Sequence, residues 1–340
     1  MMFCQAVVAV TEISQVGEAR REANRIAAIA GLDEADRGRA AIIASELATN
    51  LARYAQGGEV FLRTFVIGED TGLEIVAVDR GPGMTNVDRC MEDGYSSGGT
   101  AGQGLGAVRR LASEFDIHSS QPGGTTILAR VRKASHVRPS YPFLWGVMHR
   151  PCPQEVVSGD TWRLSHLDNK ISLLIADGLG HGPQAAEAAD AAADVFARDP
   201  FLDSADFLSS ANQRLSGTRG AAIAVAQIDR RANSLRYAGV GNIAASLRPT
   251  PASKGKGLVS HNGTVGVAMR KAQNFDYECP GGSLLIMHSD GLQSRWSLES
   301  YPGLAERHPA LIAAVLYRDF FRGRDDVTVC AVRTSAKIQG

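Results

Sequence analysis

The chain has 340 residues, 44% hydrophobic and 21% charged, enough for two domains that each bury a core. Its 36 Lys and Arg balance its 36 Asp and Glu, so no global field exists to hold a nucleic acid or an anionic membrane surface. Five scattered cysteines (Cys4, Cys90, Cys152, Cys279 and Cys330) without a C-x-x-C exclude a disulfide framework and a zinc site, and read as buried thiols in a reducing compartment. The first residues lack a basic stretch ahead of their short apolar run, and no apolar stretch reaches the roughly 18 residues that span a bilayer. These features predict a soluble cytoplasmic protein.

In chain order, the patterns predict a strand at 3–10, helices at 16–30 and 36–54, and strands at 59–67 and 73–78. A Gly-rich loop, a short helix at 105–112 and strands at 115–119 and 125–131 follow, giving helices laid on a mixed sheet. On the second helix Glu46 and Asn50 are four residues apart and share one face, while Ile42, Ile43, Leu47 and Leu51 are expected to pack inward. VDRGPGM then places Asp79 at a strand end before Gly81 and Gly83, where absent Cβ atoms let backbone approach a flat ligand and the carboxylate can accept from an adenine amine. Next, SSGGTAGQGLGAVRRL carries Gly98, Gly99, Gly102, Gly104 and Gly106 into a helix whose free N–H groups suit phosphate. GGTT at 123–126, including Thr125, closes the series.

Taken in that order, these blocks resemble the N, G1, G2 and G3 boxes of the GHKL ATPase superfamily over residues 1–133, and within it the RsbT-like switch serine kinases. The resemblance implies a Bergerat-type α/β sandwich that binds ATP with Mg²⁺. It implies that Asn50 holds the Mg²⁺, that Glu46 orients or deprotonates the attacking hydroxyl, and that Asp79 binds adenine. Gly81, Gly83, Gly102, Gly104, Gly106 and Thr125 would shape the pocket. The superfamily contains kinases and nucleotide-sensing modules, and both readings stay open for this half: a serine kinase, or a nucleotide-gated module that binds partner proteins.

A run with two prolines, two serines and basic residues interrupts the periodicity at 133–142, and the domain boundary is expected there, with a linker at 134–142. Downstream, strands are expected at 171–176, 221–229, 234–238, 283–288 and 327–332, with helices at 184–197, 205–215 and 310–320. Many strands with few helices predict a β-sandwich flanked by helices, so the chain as a whole is α+β.

Four acidic motifs stand out in this half: SGDTW with Asp160, ADGLGHG with Asp177, HSDGL with Asp290, and RDDVTV with Asp325 and Asp326. A single D-G pair is an ordinary turn signal. Four at strand ends can instead converge on a hard cation that prefers oxygen ligands. No G-x-S-x-G or reactive-cysteine context offers a nucleophile, which leaves metal-activated water. The order of motifs resembles the PPM superfamily of Mn²⁺/Mg²⁺-dependent protein phosphatases, in its SpoIIE-like and RsbX-like branch, over residues 143–335. That resemblance implies a two-metal centre held by Asp160, Asp177, the Gly178 carbonyl, Asp290 and Asp325, with Asp325 preferred to Asp326. His181 is placed either to donate a proton to the leaving serine oxygen or to serve as a structural histidine after a tight turn. One departure is plain: Ser158 precedes GDTW and Arg163 stands where many members carry a second acidic residue.

Together the two resemblances imply one polypeptide that adds and removes phosphate on STAS-domain regulators in a partner-switching or stress-response pathway.

Overall fold

The computed structural model describes residues 4–67, 70–91, 104–133 and 141–336. Gly98, Gly99 and Gly102, and the 134–140 part of the expected linker, lie outside the described residues. The chain divides into two compact units between residues 139 and 140, with residues 301–307 grouped with the first.

The first unit runs β1 (Gln5–Val10), α1 (Val16–Ile29), α2 (Glu34–Tyr54), β2 (Gly58–Ile67), β3 (Asp70–Asp79), α3 (Val87–Cys90), α4 (Gly104–Leu111), β4 (Glu114–Ser120) and β5 (Gly124–Arg132). Its sheet has the order β1-β2-β3-β5-β4. Every pairing in it is antiparallel, so the expected mixed sheet is corrected. The reason is connectivity. The α1–α2 hairpin returns the chain to the end of β1 that it left, pairing Val10 with Gly58; β2 and β3 pair as sequence neighbours, and a short turn joins β4 to β5.

Helix α2 begins where Asp33 accepts a hydrogen bond from the Asp36 N–H at 2.8 Å. Its Ala40, Ile43, Ala44, Leu47, Ala48 and Leu51 recur at helical spacing and are buried. They join Val60, Leu62, Leu73 and Ile75 of the sheet in one core. Ile42, expected inside, is 49% exposed, because one residue is a 100° step around the helix from the buried Ile43.

The second unit runs β6 (Phe143–Arg150), β7 (Asp160–Leu167), β8 (Lys170–Gly178), α5 (Pro183–Arg198), α6 (Ser204–Arg214), β9 (Ala221–Asp229), β10 (Ser234–Val240), β11 (Ala244–Arg248), β12 (Lys256–Gly257), β13 (Phe275–Glu278), β14 (Leu284–His288), α7 (Pro309–Phe320) and β15 (Val327–Thr334). Two antiparallel five-stranded sheets form, in the orders β13-β10-β9-β8-β7 and β12-β11-β14-β15-β6. They meet through buried aromatic side chains, with Trp145 of β6 and Trp162 of β7 at 6.0 Å between ring centroids. Helices α5 and α6 cover the first sheet through an alanine-rich face, and α7 packs on β6 and β15. Strand β8 is thus covered on both sides, which is why residues 173–176 form a continuous apolar run in place of an alternating one.

None of the five cysteines forms a disulfide; Cys152, Cys279 and Cys330 are buried, whereas Cys4 and Cys90 are only half-buried. Among the described residues no helix is long and apolar enough to cross a membrane.

Candidate functional sites

In the first unit, the start of α4 lies over the polar face of α2. A Cβ placed on Gly104 would sit 3.3 Å from Glu46 Oε2 and 3.7 Å from Asn50 Oδ1. Glu46, Asn50 and the N-terminal turn of α4 therefore share one place, with Gly104 leaving the gap between them open. Gly106, two residues further along α4, is buried. Asp79 closes β3, and its Oδ1 accepts from the Gly81 N–H at 2.8 Å and the Thr125 N–H at 3.0 Å. These bonds fix the carboxylate between the 81–83 segment and the start of β5. Gly81 and Gly83 serve close approach: Cβ atoms there would meet Ala55 Cα at 2.8 Å and the Ser120 carbonyl at 2.2 Å, and Gly83 also has φ +71°. Thr125 is buried, with its hydroxyl 2.9 Å from that of Ser119.

In the second unit, the acidic motifs occupy one end of the sandwich. Asp160 opens β7 and Asp177 is the next-to-last residue of β8, and the antiparallel register pairs them directly. Asp290 follows β14, and Asp325 and Asp326 precede β15, the neighbouring strand of the other sheet. The ends of both sheets thus deliver carboxylates to one region. Burial first, then repulsion from Asp160, Asp290, Asp325 and Asp326, pushes the Asp177 carboxyl far above the ordinary carboxylate range. Asp160 is likewise raised by burial, partly held down by the Ser289 hydroxyl. Asp290 is raised by burial and by Asp325, against the pull of Arg322.

The aspartates are held differently. Asp326 is buried and accepts from two backbone groups, the Cys152 N–H at 2.8 Å and the Gly159 N–H at 2.9 Å. Asp325 is half-buried and accepts from the neighbouring Asp326 N–H at 2.9 Å. Asp160 accepts from Ser289 Oγ at 2.6 Å through Oδ2, while its buried Oδ1 has no hydrogen-bond partner among the described residues. Asp290 accepts from Asn242 Nδ2 at 2.7 Å. Among the described residues, no three His, Cys, Asp or Glu side chains are drawn tightly enough together to form a ready cation cage. The donors are nevertheless hard oxygens, mutually repelling, with one buried carboxylate oxygen unsatisfied. That chemistry fits a divalent cation.

The glycines of the D-G motifs have a packing role. Neither Gly178 nor Gly291 has positive φ. A Cβ on Gly178 would lie 2.0 Å from the Ala185 carbonyl of α5, and one on Gly291 would lie 1.9 Å from the Asp326 carbonyl. Helix α5 and the 325–326 segment can therefore press against the carboxylate-bearing strand ends. His181 is exposed, with Nδ1 2.7 Å from Glu155 Oε1, so its contact is with that rim carboxylate.

Sequence reasoning missed the residues that hold the aspartates. Ser289 is fully buried and also accepts from the Thr328 N–H at 2.9 Å; the Thr328 hydroxyl lies 2.9 Å from His149 Nδ1. Ser289 stood within the HSDGL motif, but its partner lies 129 residues away. Strand β7 was also missed, although Trp162 and Leu164 alternate with polar neighbours.

Residues 9–131 match the model of a histidine kinase-like ATPase domain, and residues 168–335 match that of stage II sporulation protein E (SpoIIE). The first stretch contains Glu46, Asn50, Asp79 and Thr125. The second contains Asp177, Asp290 and Asp325 but begins after Asp160, which the β7–β8 register brings to the others. The serine/threonine-protein kinase RsbT of Bacillus subtilis (strain 168) is 37% identical over 111 residues, 33% of this chain and 84% of that protein. The phosphoserine phosphatase RsbX of the same organism is 26% identical over 136 residues, 40% of this chain and 68% of that protein. A crystal structure of RsbX in complex with magnesium superposes with a TM-score of 0.50 at 20% identity, covering 59% of this chain and 99% of that one. The chain thus belongs to the histidine kinase-like ATPase family through its first unit and matches SpoIIE in its second, as a fusion of a kinase-like domain with a PPM-type phosphatase domain.

Proposed function

We propose that the second unit is a Mn²⁺- or Mg²⁺-dependent protein serine/threonine phosphatase, and that the first binds ATP with Mg²⁺ and phosphorylates serine on a regulator of the same pathway. The observation that carries the phosphatase reading is the meeting of carboxylates from the ends of two sheets, with Asp160 Oδ1 buried and unsatisfied. Asp160, Asp177, the Gly178 carbonyl, Asp290 and Asp325 would hold two cations, leaving Asp326 to anchor the backbone of residues 152 and 159. Bound there, divalent cations supply Lewis acidity toward phosphoryl oxygens and activate water at neutral pH. The chain's own groups set the stage: Ser289 orients Asp160, Asn242 orients Asp290, and His181, held by Glu155, would protonate the leaving serine oxygen.

In the first unit, Asn50 would hold Mg²⁺, Glu46 would orient the attacking hydroxyl, Asp79 would receive adenine, and the start of α4 would face the phosphates. Gly81, Gly83, Gly104, Gly106 and Thr125 frame that pocket, and Gly102 joins the assignment from sequence. The similarity to RsbT and RsbX supports phosphorylated regulators of the STAS type as shared substrates, in a cytoplasmic partner-switching pathway.

One pair of variants tests both halves. Asp177→Ala is expected to abolish Mn²⁺-dependent phosphate release from a phosphoserine STAS protein while ATP binding persists. With dephosphorylation blocked, labelled ATP should then mark the unphosphorylated partner, and Asn50→Ala should remove that label. Phosphate release that survives Asp177→Ala would refute the phosphatase assignment; a partner that stays unlabelled would refute the kinase assignment.

A further inference from the structure

We infer that the mouth of the aspartate site carries an apolar lip that seats aliphatic residues flanking the phosphoserine of a protein substrate, with Arg219 supplying the charge that draws the phosphorylated segment in. The inference rests on the phosphatase reading and adds the substrate's chemistry to it.

Four aliphatic side chains stand out from the surface here: Val156 is 96% exposed, Val157 45%, Leu179 45% and Val267 66%. Single exposed aliphatics are ordinary, but a contiguous group marks an interaction surface. These are joined through the loops that carry them. Glu155, next to Val156, is in contact with His181, and a Cβ on Gly159 would lie 3.3 Å from the Gly180 carbonyl. The 155–159 and 179–182 loops therefore run side by side. The Leu179 N–H donates to the Gly220 carbonyl at 3.0 Å, and a Cβ on Gly220 would lie 2.8 Å from Val267 Cγ2. The lip thus passes from Val156 and Val157 through Leu179 to Val267. The first loop leads into Asp160, and the second follows directly from Asp177 and Gly178.

Charge selects the occupant. A phosphorylated segment is anionic, and a cationic side chain at the mouth of the site complements it. Arg219 sits on the lip, exposed, with Nη1 3.1 Å from the position of a Cβ on Gly180. Its side chain donates to the amide oxygen of Gln184, a neutral partner, so its charge remains available to an incoming phosphate or acidic neighbour.

The test uses the full chain with Mn²⁺ and three probes: p-nitrophenyl phosphate, a phosphoserine peptide flanked by leucines, and the same peptide flanked by glycines. Wild type should prefer the leucine-flanked peptide in kcat/KM by about tenfold. Val156→Asp with Val267→Asp should erase that preference, and Arg219→Ala should raise KM for both peptides more than for p-nitrophenyl phosphate. Val156→Ser with Val267→Ser gives a milder second variant should the aspartates impair folding. Equal use of the two peptides by wild type, a preference that survives the double variant, or an Arg219→Ala effect equal on all probes overturns the inference. A concentration-dependent dimer dissolved by the double variant, without peptide preference, assigns the lip to a second copy and also overturns it. Failure of wild type to hydrolyse p-nitrophenyl phosphate with Mn²⁺ would remove the phosphatase reading itself, and this inference with it.

Discussion

Adjacent Asp325 and Asp326 are expected to fail in opposite ways when replaced by alanine. The Asp326 carboxylate accepts two backbone N–H groups, from Cys152 and Gly159, at 2.8 and 2.9 Å. Hydrogen bonds to a charged group contribute about 1.5 kcal/mol or more each, so Asp326→Ala forfeits about 3 kcal/mol and strands two buried donors. Removing one negative charge from a repelling cluster offsets part of this, leaving a net loss of about 2 kcal/mol. For a unit of this size that is a fall in Tm of about 4–8 °C, measured in excess chelator so that metal affinity does not enter. Asp325→Ala breaks one local bond to the next residue and should shift the chelated Tm by about 2 °C or less, while weakening Mn²⁺ binding by calorimetry at least about tenfold. Circular-dichroism melts and calorimetric titrations of both variants decide the matter. A stable Asp326→Ala that no longer binds Mn²⁺, beside a destabilised Asp325→Ala that still does, would invert the roles and refute the reasoning.

The raised carboxyls of Asp160 and Asp177 fix the sign of a pH effect. Each binds its proton more tightly folded than unfolded, so between the unfolded carboxylate range and the raised folded values the native state holds more protons. Chelated protein should therefore lose stability as pH rises from about 5 to 8, and saturating Mn²⁺ should abolish that slope. Scanning calorimetry across that range checks it, and a chelated Tm that rises with pH would contradict it. Gly178→Ala would drive a methyl to 2.0 Å from the Ala185 carbonyl, so α5 must move away from β8. The expected cost is about 1–3 kcal/mol in the melt, with loss of Mn²⁺ binding.

Most elements were legible in the sequence to within two or three residues, because their periodicities are local: α2 and β8 advertise their buried faces in a single window of chain. What stayed hidden is nonlocal. No window of sequence shows that Asp160 pairs with Asp177, since that follows from the β7–β8 register, and β7 begins with a carboxylate where a strand signal is weakest. The D-G pairs were legible as motifs, but a turn preference explains them poorly; Gly178 and Gly291 are small because α5 and the 325–326 backbone press on them. In the first unit, the spacing of Glu46 and Asn50 disclosed a shared face, whereas the approach of Gly104 to that face came only with the packing of α4.

Ser289 shows what assembly adds to the motifs. Its hydroxyl donates to Asp160 of one sheet while accepting from the Thr328 backbone of the other. One buried oxygen thus ties the two strand ends whose carboxylates must face each other. The site is therefore a property of how the two sheets are joined. A change that loosens the join between Trp145 and Trp162 should reach metal affinity without touching a single proposed ligand.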